Sequence, residues 1–270
     1  MRLLHISDLH FGPFFRPEIG DHILENLRRL KPDVLAITGD FTQRARREQF
    51  QSASEFLERA RLHVTQIVAC PGNHDIPLYR AWERILRPFD LYRRYIDQRL
   101  EPIIDGDDMR IVALNSVKPF SHLVDGHLGE KQYEKAASAF TYLPLSHFRL
   151  ICLHHPPSRD QLAGSLERKL RFQKFCEENR IDLVLTGHDH ESEARLLMSE
   201  TSDLAGGTIH VSCGTSTSRR GRRSEMGKNS FQWIESRGSM IEVTTFLYET
   251  SALGFIADRR KQFSRRDSFG

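Results

Sequence analysis

Short apolar runs alternate with amphipathic segments over the first 75 residues of the chain. The runs predict strands, because strands that are buried on both faces are continuously apolar, and the segments between them have apolar residues at helical spacing. This order of strand, helix, strand, helix and strand is typical of an α/β fold with a parallel sheet. The predicted elements are Arg2–Ser7, Pro17–Leu30, Asp33–Thr38, a helix ending at Arg61 with Thr42 as its N-cap, and Val64–Cys70.

The pattern is less regular over the rest of the chain. Residues 79–100 predict a helix in two pieces, broken at Pro88. After residue 192, four apolar segments follow one another without a helix, and such a meander predicts a second, antiparallel sheet. Residues 1–257 are predicted to form a single domain, and the polar, basic residues 258–270 a flexible tail. The other predicted strands are Met109–Ser116, Phe148–Leu153, Asp182–Leu185, Glu193–Met198, Thr208–Cys213, Ser230–Ser236 and Met240–Tyr248, and the other helices are Glu130–Phe140 and Leu166–Asn179.

Composition narrows the class of protein. The 270 residues are 39% hydrophobic and 28% charged, which is typical of a globular enzyme. No apolar window approaches the roughly 18 residues of a membrane span, and no signal peptide is evident, so we expect a cytoplasmic protein. The net charge of +3 includes basic clusters at 219–223 and 259–266. Charge runs are usually solvated, so we expect no nucleic-acid partner, although the first cluster follows a predicted strand and can face an anionic substrate.

Five predicted strands end in residues that suit a metal ion. In open α/β sheets, ligands gather beyond the carboxyl ends of the strands, where these residues fall. Oxygen and nitrogen donors without a thiolate suit Mn, Fe or Zn, and seven donors suit two ions better than one. The five motifs are Asp8-Leu9-His10, Gly39-Asp40, Gly72-Asn73-His74-Asp75, His154-His155-Pro156 and Gly187-His188-Asp189-His190.

The order of these motifs resembles the calcineurin-like metallophosphoesterase family over about residues 1–215. The resemblance implies a four-layer αββα sandwich of two mixed β-sheets flanked by helices. It implies that His74 lies over the substrate phosphate as a catalytic group, with Asp75 hydrogen-bonded behind it. From its position next to a ligand alone, His155 is expected to support the site or to pack against Pro156. The implied ligands are Asp8, His10 and His190 for the first ion, Asn73, His154 and His188 for the second, and Asp40 as the bridge.

The resemblance also implies a reaction, the hydrolysis of a phosphodiester by a hydroxide that bridges two ions, with Mn or Fe favoured and Zn an alternative. The motifs look similar to class III cyclic-nucleotide phosphodiesterases, which suggests 3′,5′-cyclic nucleotides as substrates. A glycerophosphodiesterase and a UDP-diacylglucosamine-type pyrophosphohydrolase are alternatives, although the best-known branch of the latter has arginine in place of His74. A non-catalytic metal-binding scaffold is a further alternative, which the intact ligand set disfavours. The expected partner is a small-molecule phosphoester, and a homodimer stays open.

Overall fold

The structure, a computed structural model, describes residues 1–119, 126–156, 165–197 and 207–265 of the chain. Strands and helices alternate over much of this length, as the apolar pattern predicts. In chain order they are β1 (Arg2–Ile6), α1 (Pro17–Leu30), β2 (Val34–Thr38), α2 (Arg47–Arg61), β3 (Gln66–Cys70), α3 (Ala81–Leu86), α4 (Asp90–Tyr95), β4 (Ile103–Asp105), β5 (Met109–Ala113), α5 (Glu130–Phe140), β6 (Phe148–Cys152), α6 (Ser165–Glu178), β7 (Leu183–Thr186), β8 (Glu193–Leu196), β9 (Ile209–Ser212), β10 (Ser230–Arg237), β11 (Met240–Glu249) and β12 (Gly254–Ser264).

The strands form two six-stranded sheets. The first has the order β12-β11-β10-β1-β2-β3, and the second has the order β4-β5-β6-β7-β9-β8. In the first sheet β1, β2 and β3 are parallel, and β10 to β12 are antiparallel to their neighbours. In the second sheet β5, β6, β7 and β9 are parallel, with antiparallel strands at both edges. Two mixed sheets flanked by helices confirm the predicted fold class.

Alternate residues along the strands pack into three apolar layers. Leu3 contributes to the layer between the two sheets, and Leu4, the next residue, faces α1 and α2. In the same way, Leu150 faces the central layer and Ile151 faces the layer under α5 and α6. This alternation follows from the two-residue period of a strand and builds the order helix, sheet, sheet, helix. Within the described residues, no helix combines the length and the apolar character needed to cross a membrane.

The C-terminal apolar segments do not form a sheet of their own, so the predicted meander was wrong. Strands β8 and β9 extend the second sheet beside β7, whereas β10 and β11 join the first sheet beside β1. The apolar pattern locates strands but does not identify their partners. Without β10, strand β1 would be left at an edge with unpaired backbone groups, because β2 covers only its other side.

The predicted flexible tail from residue 258 was also wrong as far as Ser264. Strand β12 runs along β11 with mostly exposed side chains, because an edge strand is held by backbone hydrogen bonds and needs few apolar residues. Arg265 then donates from Nε to Asp182 Oδ1 at 2.9 Å, and its guanidinium lies 4.0 Å from the ring centroid of Phe148. Residues 266–270 lie outside the described part of the chain, and the domain extent 1–257 stays a prediction.

Helix α2 begins at Arg47 and not directly after Thr42, which the sequence predicted as its N-cap. The Thr42 hydroxyl is instead used by the loop after β3, where it donates to the His74 carbonyl at 3.0 Å. The Thr42 backbone N–H donates to Asp75 Oδ1 at 2.9 Å. The loops after β2 and β3 are therefore joined side by side, which places their polar residues together.

Candidate metal centre

The polar residues at the ends of β1, β2, β3, β6 and β7 meet at one edge of the sandwich. Backbone hydrogen bonds join the exit turns, from the His10 N–H to the Asp40 carbonyl at 2.9 Å and from the Gly187 N–H to the His154 carbonyl at 3.0 Å. The His188 N–H donates to Asp8 Oδ2 at 2.9 Å, which links the two sheets. The seven predicted ligands are all brought together and buried: Asp8, His10, Asp40, Asn73, His154, His188 and His190.

The first cluster consists of Asp8, His10, Asp40 and His190, whose ligand atoms all lie within 4.8 Å of one another. Asp8 Oδ1 is 3.1 Å from His190 Nε2 and 3.6 Å from His10 Nε2. This carboxylate oxygen is buried and has no hydrogen-bond partner among the described residues, as expected of a group that binds a cation. Burial raises the pKa of Asp8, but His190 and His10 outweigh it and hold the pKa well below its usual range.

The second cluster consists of Asn73, His154 and His188. Asn73 Oδ1 lies 3.0 Å from His154 Nε2 and 3.1 Å from His188 Nδ1, and these two nitrogens are 3.3 Å apart. One amide oxygen and two imidazole nitrogens therefore converge on one point, which fits a divalent transition-metal ion.

Asp40 lies between the two clusters. Its Oδ2 is 3.7 Å from His10 Nε2 and 3.5 Å from His154 Nε2, while its Oδ1 accepts the His74 backbone N–H at 2.8 Å. Burial raises the pKa of Asp40, but His154 and His74 outweigh it and hold the carboxyl ionised. The position and charge of this carboxylate fit a ligand that is shared by two ions.

Backbone carbonyls orient two of the ligand imidazoles. His154 Nδ1 donates to the Thr38 carbonyl at 2.7 Å, and His190 Nδ1 donates to the Arg220 carbonyl at 2.7 Å. A carbonyl can only accept, so each Nδ1 bears hydrogen and Nε2 is the ring nitrogen left to bind a metal. Supports of this kind fix the tautomer that a metal ligand needs.

Five of the ligands have left-handed backbone conformations, which are costly for residues with a Cβ atom. Such strain persists only where the surrounding structure enforces it, and it is concentrated at functional sites. Positive φ angles occur at Asp8 (53°), His10 (50°), Asp40 (53°), His188 (73°) and His190 (57°).

Two glycines let the exit turns approach one another. A Cβ on Gly187 would overlap Ser7 Oγ, and a Cβ on Gly39, whose φ is +82°, would lie 2.7 Å from both the Gly72 nitrogen and His154 Nδ1. Any larger residue at either position would push the clusters apart.

His74 lies beside the first cluster, with its ring centroid 5.0 Å from that of His10. The predicted hydrogen bond between its imidazole and Asp75 was wrong, because His74 Nδ1 instead donates to the Gln43 carbonyl at 2.8 Å. The Asp75 carboxylate accepts backbone N–H groups, including that of Gly72 at 2.9 Å. Burial, with Asp40 nearby, raises the pKa of Asp75 to about 7. Asp75 therefore holds the loops around His74, and its catalytic role stays a prediction.

Sequence reasoning missed two residues at this site, Arg220 and Gln43. His155 was expected to support the site or to pack against Pro156, and this stays a prediction: its ligand nitrogen lies within 4.8 Å of those of His154 and His188, and its Nδ1 is 2.9 Å from Ser116 Oγ. Arg220 was recognised only as part of a basic cluster, and Gln43 was not distinguished from the rest of its loop. Arg220 Nη1 is 3.4 Å from Gln43 Oε1 and 3.3 Å from His74 Nε2.

Comparison with known sequences matches most of the chain to one family. A family profile described as calcineurin-like phosphoesterase matches residues 1–192. Among curated proteins, a stretch of 80 residues is 35% identical to UDP-2,3-diacylglucosamine pyrophosphatase LpxG of Chlamydia trachomatis serovar D. That stretch covers 29% of this chain and 24% of the relative, so this second likeness concerns less than a third of either protein.

Solved structures resemble the chain over nearly its whole length. The match to purple acid phosphatase PPD1 from yellow lupin seeds has a TM-score of 0.70 at 12% identity, and it covers 98% of this chain and 54% of the phosphatase chain. The match to GAP50 of Plasmodium has a TM-score of 0.62 at 10% identity, and it covers 99% of this chain and 89% of the GAP50 chain. The match to a Vps29 variant from Entamoeba histolytica has a TM-score of 0.53 at 14% identity, and it covers 98% of this chain and 100% of the Vps29 chain. Identities this low show a shared fold alone, so function must be argued from the side chains.

Proposed function

Because the chain belongs to the calcineurin-like phosphoesterase family, we propose that it hydrolyses phosphodiester bonds with the help of two metal ions. The observation that carries this proposal is the position of Asp40, whose Oδ2 faces His10 on one side and His154 on the other. A carboxylate in that position suits two adjacent ions better than one.

The donor set suits Mn or Fe, with Zn next, and two such ions supply a hydroxide near neutral pH and neutralise phosphoryl oxygens. Seven residues would hold them. His74 would act on the leaving oxygen through Nε2, because its Nδ1 is held by the Gln43 carbonyl. The residues for the first ion are Asp8, His10 and His190, those for the second are Asn73, His154 and His188, and Asp40 would bind both.

Two substrate classes are supported by different observations. The motif resemblance favours 3′,5′-cyclic nucleotides as the diester. A second candidate, the pyrophosphate bond of a nucleotide-linked lipid, is supported by the likeness to the Chlamydia pyrophosphatase. It is also supported by helix α3, which follows the His74 loop and exposes Trp82 (78%) and Leu86 (71%), with Tyr79 (73%) just before it. An exposed apolar surface of this kind suits a substrate with acyl chains.

A substrate panel tests the proposal and separates the candidates. Protein loaded with Mn is offered bis(p-nitrophenyl) phosphate, 3′,5′-cyclic AMP, glycerophosphocholine, UDP-2,3-diacylglucosamine and p-nitrophenyl phosphate. We expect hydrolysis of the activated diester and, among the others, a preference for one diester or pyrophosphate over the monoester. Protein that holds two ions and cleaves none of these substrates would contradict the proposal and favour the non-catalytic scaffold. Preference for the UDP-lipid over cyclic AMP would select the second candidate.

A further inference from the structure

We propose that the Arg220 guanidinium binds a non-bridging oxygen of the substrate phosphoryl group, on the same side of the metal centre as His74. This inference rests on the proposed function and assigns one additional substrate contact. It makes Arg220, and no other arginine of the cluster 219–223, part of the binding machinery.

The backbone of Arg220 is fixed relative to the metal ligands. The segment after β9 is buried and bonded to the exit turn of β1, where Thr215 Oγ1 donates to the Asp8 carbonyl at 2.7 Å and Thr217 Oγ1 donates to the Leu9 carbonyl at 2.8 Å. The Arg220 carbonyl accepts a hydrogen bond from His190 Nδ1. The side chain therefore starts from a position that the ligands of the first ion determine.

The Arg220 side chain reaches His74, which lies beside the first cluster. Arg220 Nη1 is 3.3 Å from His74 Nε2, the ring nitrogen opposite the Nδ1 that donates to the Gln43 carbonyl. A guanidinium has five N–H donors, and its contacts within the described part of the chain use Nη1 alone. Arg220 is half-buried, so its other N–H groups can meet a ligand that enters from solvent.

The charges explain why a cation is held there. The Arg220 guanidinium interacts with the Asp40 and Asp8 carboxylates and stays charged throughout the physiological range. Two bound dications would outweigh the charge of those carboxylates, and the positive centre would then repel the guanidinium. An anion lying between them turns this repulsion into attraction. A phosphoryl group suits that place, because the guanidinium fork matches two phosphoryl oxygens.

The neighbouring arginines provide an internal contrast. Arg219 and Arg222 are exposed. Arg223 pairs at 2.9 Å with Glu191, and its side chain is 78% exposed. These three fit the solvated surface that the sequence predicted for the whole cluster, whereas Arg220 is turned inward.

The first test measures phosphate affinity without turnover. Inorganic phosphate is titrated calorimetrically into Mn-loaded wild type, Arg220→Gln, Arg220→Lys and the matched control Arg222→Gln, each checked for two ions per chain. We expect Arg220→Gln to weaken phosphate binding by about 10- to 100-fold, the value of a charge-assisted hydrogen bond. Arg220→Lys should lose less, because it keeps the charge but not the fork, and Arg222→Gln should match the wild type. Equal affinity in Arg220→Gln and the wild type, or no phosphate binding by the wild type, would overturn the proposal.

A second test needs no variant, which matters if a substitution disturbs His190. Mn-loaded wild type is treated with phenylglyoxal with and without inorganic phosphate, and modification of each arginine is followed by mass spectrometry. Phosphate should protect Arg220 several-fold and leave Arg222 unprotected, and equal protection of both would overturn the proposal. Hydrolysis of bis(p-nitrophenyl) phosphate by the same protein reports separately on the proposed function, because an inactive protein can still bind phosphate through Arg220.

Discussion

The two metal clusters differ in charge although they share Asp40. The first adds a second carboxylate, Asp8, whereas the second adds an amide and imidazoles. A buried dication is attracted more strongly by two carboxylates than by one that is shared. We infer that the first site binds its ion more tightly and that the second site determines how much metal is needed for activity.

The clusters also differ in the protons they hold before metal binds. Burial lowers the pKa of His10, in the first cluster, to about 4, so its ring is neutral. Burial has the same effect on His154, but Asp40 outweighs it and raises the pKa of His154 to about 10. The second ion therefore has to displace a proton from His154, whereas the His10 ring that faces the first ion is already neutral.

The largest effect is expected for Asp40→Ala, which removes the ligand common to both clusters. Metal content and phosphodiesterase activity should fall together, and kcat/KM should fall by about 10³-fold or more, since Lewis-acid catalysis contributes several kcal/mol. Elemental analysis and a bis(p-nitrophenyl) phosphate assay measure the two effects, with Asp21→Ala on the exposed face of α1 as the control. A variant that kept two ions would show that Asp40 is not the bridge.

His74→Ala should reduce activity without affecting either cluster. We expect both ions to remain and kcat to fall by about 10²- to 10⁴-fold, as is typical when a positioned acid is lost. Because nitrophenolate needs little protonation, the loss should be smaller for an activated diester than for the natural leaving group. Loss of metal, or equal losses for both substrates, would remove His74 from the general-acid role.

Asn73→Ala sharpens the comparison because it changes the second cluster alone. Affinity for the second ion should fall by at least about 10-fold, because replacing a residue that merely supports a metal ligand already weakens metal binding by that much. The first ion should stay bound. Excess Mn should restore part of the activity. Asp8→Asn is the matched variant of the first cluster, and its first ion should be the one that is lost. If both variants lost the same ion, the assignment of ligands to two sites would be wrong.

The smallest effect is the proton released by the second ion. In metal-free protein the raised pKa of His154 keeps its ring protonated near pH 8, so the contribution of this ring to stability is present below about pH 6.5 and is lost as the pH rises through about 10. Binding of the second Mn should release close to one proton near pH 8 and fewer at higher pH. Calorimetry in two buffers of different ionisation enthalpy measures this release. Equal release for both ions would contradict the difference between the clusters.

The exit turns could be predicted from sequence because their chemistry lies in side chains next to strand ends. The pattern could not predict which strands become neighbours, and so it misplaced β10 and β11. Gln43 supports His74 through its backbone carbonyl, which every residue type possesses. Arg220 looks like the other arginines in its cluster until the segment before it is bonded to the turn after β1. Asp75 was given a partner next to it in sequence, whereas its hydrogen bonds reach another loop at Phe41 and Thr42.

The central claim is that Asp40 joins two ions in one centre, and electron paramagnetic resonance of the Mn-titrated wild-type protein tests it most directly. The first equivalent of Mn(II) should give the spectrum of an isolated ion. The second should convert it to that of a spin-coupled pair, because one carboxylate would then bind both metals. A spectrum that kept growing as isolated Mn(II) up to two equivalents, or binding that stopped at one, would contradict the account.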